Sequence, residues 1–240
     1  MKSKRPIVIL GGMGPQASST LYRMLIDKAS SDYGVEHNED YPHIIVQSLA
    51  VPDFISDRAR QAEAIEHMQQ GVALARKSDP IAVGMACNTA HLFVDEIQIA
   101  EDLPFASLID VVADTVQSEG IKKVGLMASP TTIDTSLYKD ALNKRGIDVL
   151  VPSEPEQKKT EDVIRAVIAG KSGAREAAEL TKISNNLVAR GAEGVILGCT
   201  ELPLAFDHLV AKAPVFDCLE LLADKLLSRY YREYAILEQI

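Results

Sequence analysis

The sequence lacks any apolar run near the roughly 20 residues that cross a bilayer, and its three cysteines are too few for a disulfide framework. The first apolar run, in MKSKRPIVIL, ends at Gly11 inside a strand–turn–helix pattern, so we interpret it as a strand and not as a signal peptide. These absences predict a cytoplasmic protein with reduced thiols, in which an unusual cysteine is a candidate for chemistry.

An excess of basic residues is missing too, because 25 Lys and Arg face 34 Asp and Glu, for a net charge of −9. Nucleic-acid and anionic membrane surfaces need concentrated positive charge, so we expect neither as a partner. A small acidic ligand stays compatible with this charge, since it needs only one or two local cations.

Short β-branched runs alternate with longer amphipathic segments, and no Gly/Ser linker interrupts them. This alternation predicts an α/β fold with parallel sheets and right-handed crossovers. The predicted strands cover residues 6–11, 43–49, 80–86, 105–109, 122–128, 147–151, 194–198 and 214–217. The predicted helices cover residues 15–31, 57–78, 90–101, 110–119, 131–145, 156–170, 173–190 and 218–238.

The opening stretch IVILGGMGPQASSTLYRML fits the G-x-G-x-x-A dinucleotide pattern at Gly12, Gly14 and Ala17. That pattern also needs an acid at the end of the second strand to hold a ribose, but Gln47 and Ser48 stand there. A glycine turn ahead of a helix can instead cradle a small anion or carboxylate on its N–H groups. A purely structural turn is the third interpretation.

A weak internal repeat relates PIAVGMACNTAHL to EGVILGCTELPL, about half the chain apart. In both segments an apolar strand runs into a cysteine, Cys87 or Cys199, and a Thr follows within two positions. Both thiols are therefore expected at the carboxyl ends of strands, where α/β proteins bind ligands. We also expect helices to begin after both, with N-termini that favour a thiolate.

Several chemistries fit such a cysteine pair. Buried packing, zinc binding with His91, acyl transfer with His91 as base and a redox pair are four of them. The fifth is proton exchange at a carbon, with one thiolate removing a proton and the opposite thiol delivering one. Cys218, in PVFDCLEL, has no polar companions of this kind and is interpreted as a packing residue or the start of the last helix.

Five blocks, in order along the chain, resemble the pyridoxal-independent aspartate/glutamate racemase family, and most of all its aspartate racemases. The blocks are GGMGP at 11–15, AVPDFISD at 50–57, CNTAH at 87–91, GCTE at 198–201 and PVFD at 214–217. The resemblance implies two Rossmann-like lobes related by pseudo-two-fold symmetry, with the active site in the cleft and the last strand and helix returning to the first lobe. We place the first lobe at 1–110 plus 213–240 and the second at 111–212.

The resemblance also implies a mechanism. Cys87 and Cys199 would be the acid/base pair, without pyridoxal phosphate, metal or any other cofactor, in a homodimer. The residues implied to bind substrate or line its site are Met13, Gly14, Asn88, Thr89 and Thr200. Two more site residues have less defined roles: His91 caps, supports or contacts substrate directly, and Glu201 orients a thiol or caps its own helix.

The substrate implied is an acidic amino acid, first of all aspartate. Some aspartate-specific members carry an Arg directly after the PD of the second block, where this chain has Phe54, so a cation must come from Arg58, Arg165 or Lys171. Glutamate or a broader amino-acid range stays open, as does a dicarboxylate isomerase or decarboxylase on the same scaffold. A non-catalytic amino-acid-binding protein is the alternative from another class.

Overall fold

A computed structural model of the chain describes residues 4–54, 58–206 and 210–237. The strands in these ranges are β1 (Ile7–Gly11), β2 (Ile44–Ser48), β3 (Ala82–Met85), β4 (Phe105–Ala106), β5 (Lys123–Met127), β6 (Asp148–Leu150), β7 (Gly194–Leu197) and β8 (Val215–Asp217). The α-helices are α1 (Pro15–Tyr33), α2 (Gln61–Lys77), α3 (Leu108–Ser118), α4 (Pro130–Asp134), α5 (Leu137–Asn143), α6 (Glu154–Ile168), α7 (Ala174–Ala189) and α8 (Cys218–Leu237). No helix in the described ranges is long and apolar enough to cross a membrane.

The strands form two parallel four-stranded sheets of identical topology. The first sheet has the order β2-β1-β3-β4 and the second has the order β6-β5-β7-β8. In each sheet the first strand in sequence lies in the interior. The second strand pairs with it on one side, and the third strand pairs with it on the other side. The α/β fold class and all eight predicted strands are confirmed, and the weak sequence repeat corresponds to a complete duplication of strand order.

Alternating side chains give β1 and β3 of the first sheet two buried faces. Val83 and Met85 of β3 join the apolar cluster that includes Met68 of α2. Gly84 faces the other way, and a Cβ on it would lie 2.9 Å from Leu226 of α8. Helices therefore cover both faces of β3, which explains why the strand reads as an unbroken apolar run.

The chain divides into two compact units, Met1–Ser107 with Glu220–Ile240, and Leu108–Leu219. The expectation that the last strand returns to the first lobe is wrong, because β8 pairs with β7 in the second sheet, with Val215 beside Val195. The last helix does join the first unit from Glu220 onward. The sequence cannot show this division, since the change of unit falls inside the first turn of an otherwise continuous helix.

Two predicted helices differ from the structure. The segment 90–101 is a short 3-10 turn, Thr89–Phe93, followed by irregular turns in which Gln98 has a φ of 54°. Side chains of α2 hold this segment, because Gln69 donates to the Glu96 carbonyl at 2.8 Å and Arg76 donates to the Gln98 carbonyl at 2.6 Å. The predicted helix 131–145 is broken into α4 and α5 at Ser136, whose φ is 58°.

Candidate active site

The glycine turn after β1 is closed by its own hydrogen bonds. The N–H of Gly12 donates to Ser18 Oγ at 2.9 Å, and that hydroxyl donates to the Gly14 carbonyl at 3.1 Å. Gly12 has a φ of 92°, and a Cβ there would overlap the backbone of Leu49. Pro15 begins α1, as its position at the first helical turn predicts.

The end of β2 carries no acid for a ribose. Gln47 is buried and faces α2: with its amide oriented to satisfy both groups, its nitrogen donates to the Gly71 carbonyl at 3.0 Å and its oxygen accepts from the Ala75 N–H at 3.3 Å. This side chain is committed to packing a helix on the sheet. The dinucleotide interpretation of the opening glycines therefore has no support at the position where it needs a carboxylate.

The loop after β3 buries its whole polar sequence, since Cys87, Asn88, Thr89 and His91 are each less than a tenth exposed. The N–H of His91 donates to the Asn88 carbonyl at 3.0 Å, which closes the 3-10 turn. The His91 ring turns back toward the strand, with Nδ1 at 2.8 Å from the Cys87 carbonyl. The imidazole is thus tied to the backbone of the cysteine itself.

An aromatic pair stands in the apolar core of the same unit. Phe54 is 5% exposed and meets Phe93 edge to face, with ring centroids 5.6 Å apart. Both belong to the buried cluster that also contains Met13 and Cys87. The position where the resemblance led us to look for an arginine is therefore built into an apolar core.

The loop after β7 presents the second thiol with a carboxylate. Cys199 Sγ donates to Glu201 Oε2 at 3.1 Å, and Thr200 Oγ1 donates to the same oxygen at 3.2 Å. All three residues are at most 4% exposed. A carboxylate accepts from a thiol but repels a thiolate, so an ionised Glu201 would favour the protonated form of Cys199.

The two cysteines occupy the same register position in their sheets. Met85 of β3 pairs with Leu10 of β1, and Leu197 of β7 pairs with Met127 of β5. Each cysteine follows two residues after the last paired residue of its strand. Within each unit, the thiol therefore leaves the sheet beside the end of the central strand.

The expected helices after the cysteines are absent from the described residues. Only 3-10 turns follow, Thr89–Phe93 after Cys87 and Leu202–Leu204 after Cys199. The expectation that α-helices begin after the two cysteines is therefore wrong, and the helix-dipole argument for their thiolates loses its basis.

Sequence reasoning missed two groups in the second unit. After β5, Ser129 caps α4 and donates to Thr132 Oγ1 at 2.9 Å, with both hydroxyls buried. Tyr138 of α5 is completely buried. The available signal was the Ser-Pro pair at 129–130, which repeats the Gly-Pro pair at 14–15 at the start of the equivalent helix.

The three candidate cations have different surroundings. Arg165 lies on an exposed side of α6 and pairs with Glu161 at 2.6 Å, while the core face of that helix shares a cluster with Cys199. Lys171 is exposed in the turn between α6 and α7. Arg58 begins the 3-10 turn Arg58–Arg60, and its side chain is outside the described part of the chain.

A metal site needs several converging ligands. Across residues 4–54, 58–206 and 210–237, no group of three or more His, Cys, Asp or Glu side chains is arranged to hold an ion. The described part of the chain therefore gives no support to the zinc alternative built on Cys87, His91 and Cys199. Cys218, at the first position of α8, is fully buried, as expected of a packing residue at a helix start.

Two α/β units of identical strand order, each with a buried cysteine at the same register position, define a duplicated Rossmann-like protein with paired thiol loops. The chain belongs to the Asp/Glu/hydantoin racemase family, whose model matches residues 10–226. It is 26% identical over 226 residues to the broad specificity amino-acid racemase RacX of Bacillus subtilis, covering 93% of this chain and 97% of that protein.

Two further comparisons agree with this membership. The crystal structure of an aspartate racemase homologue from Pyrococcus horikoshii has a TM-score of 0.78 at 27% identity, covering 95% of this chain and 99% of that one. A glutamate racemase of Deinococcus radiodurans is 26% identical over 194 residues, covering 78% of this chain and 57% of that protein. The expected family is confirmed, and membership supports an amino-acid racemase.

Proposed function

We propose that this protein racemises an amino acid without a cofactor, using Cys87 and Cys199 as the two bases. The observation that carries the proposal is the matched position of the thiols, each two residues beyond the last paired residue of its strand. A random packing cysteine has no reason to repeat at the same register in both sheets. A reaction that needs two equivalent acid/base groups, one for each face of a carbon, gives such a reason.

The chemistry follows from what thiols can do. In one direction a thiolate takes the α-proton, which leaves a planar carbanion next to the carboxylate, and the other thiol then gives its proton to the opposite face. The α-carbon is thereby inverted, and the two cysteines have exchanged protonation states. In the reverse direction their roles are exchanged, so both must be able to hold and release a proton.

The polar side chains beside the thiols have roles in this proposal. Asn88, Thr89 and Thr200 hold the α-carboxylate of the substrate, and Met13 and Gly14 line the same site. Glu201 stabilises the protonated thiol of Cys199, which then delivers this proton to the carbanion. The 3.1 Å contact between Cys199 Sγ and Glu201 Oε2 supports this role. His91 fixes the Cys87 loop through its bond to the Cys87 carbonyl.

The first substrate we propose is aspartate, interconverted between its L and D forms. Its side-chain carboxylate requires a cation, for which Arg58, Arg165 and Lys171 are candidates. Arg165 is the weakest of the three because Glu161 already neutralises it. We further propose that the protein works in the cytoplasm as a homodimer, where its thiols stay reduced.

A racemase of broader amino-acid range is the second candidate. Two observations favour it: the broad-specificity racemase of Bacillus subtilis is similar over nearly the full chain, and Phe54 is buried in an apolar core where an arginine would suit a side-chain carboxylate. The similarity to a glutamate racemase keeps glutamate among the substrates to test.

Deuterium exchange tests the proposal directly. The protein is incubated with L-aspartate in D2O, and in parallel with L-glutamate and with several neutral amino acids. Incorporation of deuterium at the α-carbon together with loss of optical activity supports racemisation, and the amino acid that exchanges fastest identifies the substrate. Binding without exchange would contradict the proposal in favour of an amino-acid-binding protein, and alanine as product would indicate a decarboxylase. Conversion of maleate to fumarate in a parallel incubation would indicate a dicarboxylate isomerase.

A further inference from the structure

Gln157 of α6 reaches the carboxyl end of β5 in the second unit, and no sequence motif singles it out. Its side-chain Nε2 donates to the carbonyl of Ala128, the residue directly after β5, at 2.9 Å. Because a carbonyl only accepts hydrogen bonds, this contact fixes the orientation of the amide. The nitrogen faces Ala128, and Oε1 is the other end of the group.

The amide oxygen of Gln157 is a buried acceptor without a donor. Oε1 is shielded from solvent and has no hydrogen-bond partner among the described residues. Most buried polar atoms of folded proteins are paired, so this atom needs an explanation that the fold does not supply. The nitrogen needs none, since its bond to Ala128 already ties α6 to the sheet. An anchored acceptor of this kind is suited to a donor that comes from a ligand.

The anchor of Gln157 lies beside the loop that carries the second thiol. The Gly198 N–H donates to the Met127 carbonyl at 2.7 Å, which joins the ends of β7 and β5. A Cβ on Gly198 would lie 3.3 Å from the Cβ of Ala128. Ala128, which holds the amide of Gln157, therefore packs next to the residue that precedes Cys199.

The helix that carries Gln157 covers the same face of the second sheet as Cys199. Val163 and Ile164 of α6 belong to the buried cluster that contains Cys199 and Leu202. Gln157 precedes Val163 by less than two helical turns, on the amino-terminal side of this packed stretch. Helix packing and the bond to Ala128 thus both place the unused acceptor at the thiol-bearing end of the unit.

The proposed function leaves one charged group of the substrate without a partner. Asn88, Thr89 and Thr200 are proposed to hold the α-carboxylate, but no residue so far accepts from the α-ammonium group. An ammonium group has three N–H donors, and a neutral amide oxygen accepts from it without taking its proton away. Keeping that proton helps the reaction, because the positive charge stabilises the carbanion that forms on the neighbouring carbon.

We propose that Gln157 Oε1 accepts a hydrogen bond from the α-ammonium group of the substrate and so holds its amino end at the second unit. Gln157 is then a substrate-binding residue whose own position is fixed by Ala128. The inference rests on the proposed function for the identity of its ligand, an amino acid. Its test measures binding and not turnover.

The test compares the affinities of L-aspartate and succinate by titration calorimetry in the wild type and in Gln157→Met. Succinate is the same dicarboxylate without the ammonium group, and methionine keeps the length of the side chain without its amide. We expect L-aspartate to bind about ten- to a hundredfold more weakly, as for a lost hydrogen bond to a charged group, and succinate to change by less than about threefold. L-Glutamate with glutarate and L-alanine with propionate extend the comparison to other side chains.

A matched control removes an amide of the same kind from the same unit. Gln117 of α3 donates its Nε2 to the Arg145 carbonyl at 3.4 Å, and this contact is exposed. Gln117→Met should leave both affinities as they are in the wild type. If Gln157→Met weakens the amino acid and its deaminated analogue alike, or weakens neither, Gln157 has only a structural role and the inference is overturned.

Gln157→Glu gives an expectation of opposite sign and decides the question if the methionine variant does not fold. A carboxylate attracts the ammonium group and repels the dicarboxylate, so the ratio of amino-acid affinity to analogue affinity should rise above that of the wild type. A ratio that is unchanged or lower refutes the inference, as does a wild type that binds none of the three amino acids. Binding that follows these expectations without any racemisation would contradict the proposed function and leave the role of Gln157 intact.

Discussion

His91 Nδ1 lies 2.8 Å from the carbonyl oxygen of Cys87, four residues back along the chain. A carbonyl only accepts hydrogen bonds, so Nδ1 carries a proton in this contact. The imidazole also lies over Phe105, with ring centroids 5.5 Å apart. Through these two contacts, the His91 side chain stabilises the loop that carries the Cys87 thiol.

Replacing His91 by Phe should keep the packing against Phe105 and remove one donor to the Cys87 carbonyl. A buried carbonyl that loses a hydrogen bond costs about 1–3 kcal/mol, so we expect the free energy of unfolding in urea to fall by that amount. Activity should fall through the displaced loop, while alkylation of Cys199 stays unchanged. A variant as stable as the wild type would show that the contact contributes nothing to the fold.

Replacing either Cys87 or Cys199 by Ser should lower racemisation by about 100- to 10,000-fold, because a serine hydroxyl is a far weaker acid than a thiol and is hardly ionised near neutral pH. Cys218→Ser is the matched control and should keep most of the activity. Optical rotation of the substrate gives the rate. Near-normal turnover in Cys87→Ser would contradict the two-thiol mechanism, whatever the other variants do.

Glu201→Gln removes the negative charge that Cys199 Sγ meets at 3.1 Å and keeps an amide of the same size. Cys199 should then ionise more readily, so its alkylation near neutral pH should become faster and the acid limb of the racemisation profile should move to lower pH. Glu179→Gln, at a partly exposed glutamate paired with Lys159, serves as control. If Cys199 alkylation slows in Glu201→Gln, the carboxylate does not act as we infer.

Two glycines of the first unit form a matched pair for stability. Gly12 and Gly34 both have positive φ, but a Cβ on Gly12 overlaps the Leu49 backbone and a Cβ on Gly34 meets nothing within 4 Å. Gly34→Ala should cost about 1–2 kcal/mol of unfolding free energy from backbone strain alone. Gly12→Ala should cost at least about 2 kcal/mol more, measured by urea unfolding. Equal costs would mean that the turn after β1 can open without penalty.

The ion pairs of Lys28 should make stability depend on alkaline pH. Burial alone lowers the pKa of Lys28, but hydrogen bonds to Asp224 and Glu220 outweigh it, and the pKa is raised above its usual value. The folded state thus favours the charged lysine, so this stabilisation is complete below pH ~10 and is lost as the pH rises through the raised folded pKa.

Lys28→Met provides the comparison for that effect. The difference in unfolding free energy between wild type and variant, about 1 kcal/mol at pH ~8, should shrink toward zero at strongly alkaline pH. High salt should reduce it as well, because Lys28 is 20% exposed and its partners are about half exposed. A difference that stays constant over this pH range would mean that only the packing of the lysine stem matters.

The sheets could be predicted from sequence because their signal is local. Runs such as IVILG in β1 are apolar on both faces, and only a parallel strand between two helix layers needs that pattern. The helix predicted over 90–101 was wrong for the opposite reason, because what determines this segment is not local. Its composition favours a helix, but Arg76 and Gln69 of α2 hold it in turns, and such contacts from 22 and 27 residues away have no local signature.

The candidate site likewise has residues that a local sequence signal reveals and residues that only the fold reveals. Cys87 and Cys199 are evident from sequence because each stands at the junction of an apolar run and a polar cluster. Tyr138 could not be found from sequence, since only the fold packs its ring on Gly198. The sequence places Gln47 at a strand end as a polar residue, and only the structure shows its contacts with Gly71 and Ala75. Membership of a unit was equally hidden for β8, because pairing partners decide it.

The return of α8 to the first unit has a consequence for how the protein is made. Leu222 and Leu226 cover Gly84, and Tyr230 accepts from the His43 N–H, so residues translated last complete a sheet translated first. At ribosomal rates, the intervening stretch takes on the order of ten seconds to synthesise. During that interval α1 already packs on the amino-terminal sheet, but the part of β3 around Gly84 lacks the cover that α8 later provides. The nascent chain thus exposes to chaperones an apolar strip of β3 that α8 covers once it has been translated.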